Sequence, residues 1–116
     1  MVTKGVATLI YMAKSHNEVD GSPLNLFKEK LVKVDVKTTF TNGYYFERGR
    51  EMREACNLLV NTYNTYDIVE EGLVYELSYV LFRNVKYKVM NILNNFRKYQ
   101  EDPYHKILDC KKVTNA

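Results

Sequence analysis

Two histidines and two cysteines are the side chains of this sequence best suited to act as base, nucleophile or metal ligand. His16 and His105 lie far apart, as do Cys56 and Cys110. Neither cysteine sits in the Cys-x-x-Cys spacing that closes on a metal. A Cys/His pair can be written nominally, because an imidazole base activates a thiol. Nothing in the local sequence supports a nucleophile, however, and two unrelated surface histidines are the simpler reading. Glu70, Glu71 and Glu76 offer carboxylates. On a strand Glu70 and Glu76 share a side, which fits an acid/base or metal pair and equally a solvated acidic edge. The five glycines are scattered and form no phosphate-cradling loop. The chain is therefore read as non-enzymatic, with no catalytic residue, metal ligand or cofactor implied. The two cysteines fit a disulfide in an oxidising compartment or two buried thiols in a reducing one.

Charge supplies the other candidate chemistry. The formal net charge is +3, too small by itself to imply a polyanionic partner. Its distribution is uneven. Asp67, Glu70, Glu71 and Glu76 occupy residues 66–82 with no Lys or Arg, whereas residues from Arg83 onward hold eight Lys and Arg against three acids. Arg83, Lys86, Lys88, Arg97 and Lys98, interleaved with Tyr87 and Tyr99, form the candidate nucleic-acid surface. Basic groups meet phosphates there and aromatic rings stack on bases. The same pattern also describes a mixed, solvated strand face.

These residues need elements to position them. A chain of 116 residues is one domain, 1–116, large enough to bury a core without staples. Hydrophobic residues at 46% and charged residues at 27% are ordinary globular values. Residues 5–17 read as a short amphipathic helix on the spacing of Val6, Leu9, Ile10 and Ala13, with a strand as the rival. Asp20-Gly21-Ser22-Pro23 is turn chemistry. Residues 31–40 alternate as a strand, Val32, Val34 and Val36 on one face. Asn42-Gly43 then gives the strongest short hairpin signal, with Tyr44-Tyr45-Phe46 returning.

Residues 47–64 are read as a helix on the face of Met52, Cys56, Leu59, Val60 and Tyr63, with a strand as the rival because Cys56, Leu58 and Val60 also alternate with Asn57, Leu59 and Asn61. Residues 73–93 read as a hairpin turning at Arg83-Asn84. Leu73, Tyr75, Leu77, Tyr79 and Leu81 share one face of it, and Val85, Tyr87 and Val89 lie opposite. Two helices broken at Asn84 are the alternative. Asp102-Pro103 ends the preceding element, and residues 104–110 form a short terminal one. No apolar run approaches the length of a membrane span.

Residues 31–45, with Asn42-Gly43 at the tip and Tyr44-Tyr45 beyond, resemble the cystatins. That family places a helix, then a strand, then a hairpin loop of the form Gln-x-Val-x-Gly. Leu73-Val74-Tyr75-Glu76-Leu77 and Val85-Lys86-Tyr87-Lys88-Val89 are similar to its later strands, and Cys110 to a terminal cysteine of secreted members. The resemblance implies a helix wrapped by an antiparallel sheet, and inhibition of papain-like cysteine proteases by loops wedged into the cleft. Phe40, Asn42, Gly43, Tyr44 and Tyr45 would form one contact and Asn95-Phe96 the other. Within the inhibitory loop Gly43 alone matches, and the chain has no tryptophan for the family's Pro-Trp loop.

The expectation is thus an α+β fold, an antiparallel sheet of about four strands packed against one or two helices. The expected activity is non-enzymatic binding or inhibition of a protein partner. Two alternatives stand beside it. One is an inhibitor or adaptor from a virus or mobile element, suggested by the Asn and Tyr richness that AT-rich coding produces. The other is a nucleic-acid-binding regulator using the basic C-terminal third. No membrane partner is expected. The compartment is intracellular if Met1 is the native start and extracellular if a leader was removed.

Overall fold

The computed structural model describes residues 2–14, 26–37 and 55–113. They form seven strands: β1 (Val2–Ala13), β2 (Phe27–Lys37), β3 (Ala55–Asn61), β4 (Ile68–Glu70), β5 (Leu73–Phe82), β6 (Val85–Arg97) and β7 (Gln100–Lys112). All pair antiparallel, in the order β1-β2-β3-β7-β6-β5. β5 pairs in turn with β1, so six strands close into a barrel. Short β4 extends the far edge of β5. A single 3-10 turn, Thr62–Thr65, joins β3 to β4.

The α+β expectation is overturned. Among the described residues there is no α-helix. Of residues 5–17, read as the first helix, those up to Ala13 belong to β1, which sends Ala7, Leu9 and Tyr11 inward at the period of two. The helical reading arose because β1 also carries apolar residues outward. Val6 is exposed and Ile10 half-buried, so the alternation is blurred. The second predicted helix fails similarly. Cys56, Leu58 and Val60 alternate into the core from β3, and Leu59 is a half-buried outward residue. The helix-plus-sheet arrangement implied by the cystatin resemblance is therefore not what the described residues form. The Asn42-Gly43 hairpin lies outside them.

The hairpin at Arg83-Asn84 is present, with both residues in the left-handed region (φ 51° and 64°). That is the conformation whose twist suits a two-residue hairpin loop. Its faces differ from the simple alternation. The register of β5 against β1 slips at Ile10/Tyr11, so Ser78 has no partner in that ladder. Tyr75 and Leu77 point inward before the bulge, and Val80 and Phe82 after it. Tyr79 and Leu81 are consequently turned outward. Asp102-Pro103 ends nothing, because β7 runs through it on a bulge.

The core is the barrel interior, with Leu9, Leu58, Val80 and Leu108 fully enclosed. Each such side chain contributes about 1.5–3 kcal/mol relative to exposure. Tyr11 donates its hydroxyl hydrogen bond to the Asn64 carbonyl at 2.6 Å, tying the 3-10 turn across one barrel end. Burial pushes its phenol up to about 12. The acidic stretch is partly neutralised from the other side of the sequence: Lys14 reaches Asp67 at 2.9 Å and Lys28 reaches Glu70 at 2.8 Å. Both pairs are largely open to solvent, which screens them, so they add little to stability.

Gly5 faces the ring of Phe82, and a Cβ there would lie 2.8 Å from Cε1. Gly5→Ala should destabilise by about 1–3 kcal/mol through overpacking. Phe82→Leu in the same chain should recover part of that loss by removing the ring. Urea unfolding of the two singles and the double checks this, and purely additive losses would contradict it.

Candidate interaction site

The most distinctive feature of the barrel is the course of β6, which leaves β5, follows β7, and with it forms a two-stranded arm at Asn95–Arg97 and Gln100–Asp102 beyond the end of β3. β6 pairs with β5 only from Val85 to Lys88. Continuing along β5 would bring it against Leu73–Tyr75, where β4 is already hydrogen-bonded. β6 therefore leaves. Met90 has no opposite residue between the pairs Val89↔Cys110 and Asn91↔Asp109, and such a bulge adds bend and twist. β7 loses β3 beyond the pair Asn61↔His105. The arm ends in a second two-residue turn, Lys98-Tyr99, again with both residues left-handed (φ 47° and 69°). Neither is glycine or asparagine, so the tip holds local backbone strain. Tyr99 there is fully exposed.

A buried polar cluster fixes the arm to the barrel. Between Asn95↔Asp102 and Asn94↔Lys106, β7 carries three extra residues, Pro103, Tyr104 and His105. A proline fits there because residues outside the ladder need no ladder N–H. Asp102 organises the bulge. Its Oδ1 accepts from the Tyr104 amide at 2.9 Å, and its Oδ2 accepts from Asn95 Nδ2 at 3.1 Å and meets His105 Nδ1 at 2.8 Å. Thr62 donates to the Pro103 carbonyl at 2.6 Å, binding the bulge to the 3-10 turn. Asn95 and Asp102 are only 4% and 8% exposed. Burial works against the Asp102 charge. The bonds from Tyr104, His105 and Asn95 outweigh it and hold the carboxyl below its ordinary range.

An Asp–His pair also occurs in general-base catalysis, where the imidazole faces a nucleophile. Here, among the described residues, no hydroxyl or thiol hydrogen-bonds to His105. The cleft beside it, lined by Lys33, Val34, Asp35, Leu59 and Asn61, measures about 170 Å³. Clefts that take organic ligands are roughly 300–1,000 Å³. The arrangement orients an imidazole and pins a bulge. Among the described residues, no three His, Cys, Asp or Glu side chains gather as metal ligands.

The expected site residues are dispersed. Phe40, Asn42, Gly43, Tyr44 and Tyr45 lie outside the described residues, as does His16. Asn95 and Phe96 separate in role: Asn95 is inside the Asp102 cluster, whereas Phe96 is 61% exposed on the arm. Of the basic set, Tyr87 is a correction. It belongs to the barrel core at 5% exposure, where it cannot stack on a base, because position 87 falls on the inward phase of β6.

Lys86 and Lys88 do point outward, Lys86 over the Tyr79 ring at 4.5 Å and Lys88 directly opposite Lys111. Arg83 lies over Phe82 at the turn. Arg97 and Lys98 are at the other end of the strand. Lys86 and Arg97 are eleven positions apart along β6, roughly 35 Å at strand rise, so they are two groups and not one patch. Sequence reading missed Met90, Ile92 and Leu93, exposed along β6, and Tyr104, exposed in the bulge of β7. The adjacent apolar pair Ile92-Leu93, which must send one side chain to each face, was the available signal.

Asp102→Asn should lower the urea midpoint at neutral pH. Because the folded carboxyl lies below its unfolded value, its contribution is present above about pH 4 and fades as pH falls through the folded value. The gap between wild type and variant should therefore narrow in acid. An equal gap at neutral and strongly acidic pH would contradict the charged cluster.

Compared with known proteins, the chain matches no family model, no curated protein and no solved structure.

Proposed function

We propose that the chain is a non-enzymatic binding protein that takes an extended segment of a protein partner along the outer edge of β6. The observation that carries this is the edge over residues 89–94. One side of β6 bonds to β7 there, and among the described residues no strand pairs with the other. An edge presents a row of backbone donors and acceptors that an added strand satisfies. Natural edges are usually blunted by charge, proline or brevity. Residues 89–94, Val-Met-Asn-Ile-Leu-Asn, contain neither charge nor proline. Met90, Ile92 and Leu93, with Phe96 beyond, are exposed beside the edge and would grip alternate side chains of the incoming strand. The inhibitor form of this reading adds residues 39–45 to the contact.

A second reading has its own observation. Lys88 and Lys111 stand directly opposite across β6 and β7, beside Lys86. Like charges so placed repel unless an anion lies over them. Among the described residues none of the three has a carboxylate within ion-pair distance. A phosphate backbone is the anion this face would take.

Selection of displayed peptides on the folded protein separates the two. Selected peptides should bind Ile92→Lys and Leu93→Lys at least tenfold more weakly, about 1.4 kcal/mol, with Lys88→Glu unaffected. Equal binding to all three would overturn the edge reading. Oligonucleotide binding that falls steeply with salt and is lost in Lys88→Glu would support the second reading instead.

A further inference from the structure

Cys56 and Cys110 are the only cysteines in the chain. The sequence sets them far apart, yet the barrel makes them direct partners in the β3–β7 ladder. Both point into the core, at 8% and 1% exposure. The two thiols lie near enough to interact, and Cys110 Sγ donates to the Leu108 carbonyl at 3.6 Å. Directly opposite residues of an antiparallel pair have Cα atoms about 4.5–5.5 Å apart. That range lies inside the roughly 4.4–6.8 Å that a disulfide spans. Bond formation at this pair therefore needs no change of strand register.

We propose that Cys56 and Cys110 are a site of disulfide formation that locks β3 to β7. In the closed barrel, contact with Cys56 and burial both push the Cys110 thiol far above its ordinary range, so it stays protonated and unreactive. Cys56 is the more exposed of the two. It lies one residue past the three-residue β2–β3 pairing that ends at Lys37↔Asn57. Cys56 is therefore the first to exchange. Its thiolate attacks a small disulfide oxidant such as oxidised glutathione, forming a mixed disulfide and releasing one glutathione thiolate. Cys110 then loses its proton, attacks the Cys56 sulfur and expels the second glutathione. The two protein thiols have lost two electrons and two protons, and the oxidant leaves as two thiols.

The lock falls on β7, the strand that carries the Asp102 bulge and the arm. It closes a chain loop of more than fifty residues, which restricts the unfolded ensemble. The staple strengthens the barrel seam without altering the edge of β6.

The test is incubation of the reduced, folded protein with oxidised glutathione, then denaturation, alkylation and intact-mass measurement. The expected product is a monomer short of two hydrogens, with no alkylatable thiol and no retained glutathione. Its urea midpoint should rise and revert on reduction. Cys110→Ser should instead retain one glutathione on Cys56. Three wild-type results would overturn the proposal: a stable glutathione adduct, a disulfide-linked dimer, or two alkylatable thiols after complete unfolding and refolding in the same oxidant. The wild-type result decides the matter whether or not the serine variant folds.

Discussion

The pairing of β1 with β5 shapes everything else in this molecule. It runs from Ala7↔Phe82 to Ala13↔Tyr75 and turns an open sheet into a barrel. Closure gives Ala7, Leu9 and Tyr11 a second wall to pack against and satisfies two strand edges at once. It also dictates small residues where the wall is tight, as at Gly5 against Phe82. The bulge at Ser78 is the adjustment that lets both halves of β5 face inward while the ladder bends.

Closure has a consequence for the arm. β5 uses one edge for β1 and divides the other between β4 and the first four residues of β6. The remainder of β6 is left with β7 as its ladder partner. The arm follows from this division of edges, and the Asp102 cluster gives it a defined direction. Polar groups buried there are matched to one another, which is how a bulge of three residues is held in a single conformation. Apolar side chains that would be core residues in a longer barrel are left at the surface beside the edge of β6.

Part of this was legible in the sequence. The alternation of Val32, Val34 and Val36 marked β2, and Arg83-Asn84 marked the hairpin of β5 and β6. Lys86 and Lys88 were placed outward and Val85, Tyr87 and Val89 inward, which also argues that Tyr87 is core. β1 and β3 were misread because their outward faces are partly apolar, which mimics helical spacing. The bulges at Ser78, Met90 and Pro103 leave no local signature, since they arise from how distant strands divide their hydrogen bonds. The same is true of the Lys98-Tyr99 turn, which has none of the residue types that favour left-handed backbone, and of the meeting of Cys56 with Cys110. Asp102 looked like a terminator beside proline, and its role depends on Asn95 and His105 being brought to it by the fold.

A closed barrel with an open edge on β6 is best checked by amide hydrogen exchange of the free protein. Exchange should be slow along the β1–β5 ladder and fast at alternate amides of residues 89–94, whose N–H groups face away from β7. Fast exchange throughout the β1–β5 ladder would mean that the barrel is not closed. Uniform protection of residues 89–94 would mean that the edge is already covered.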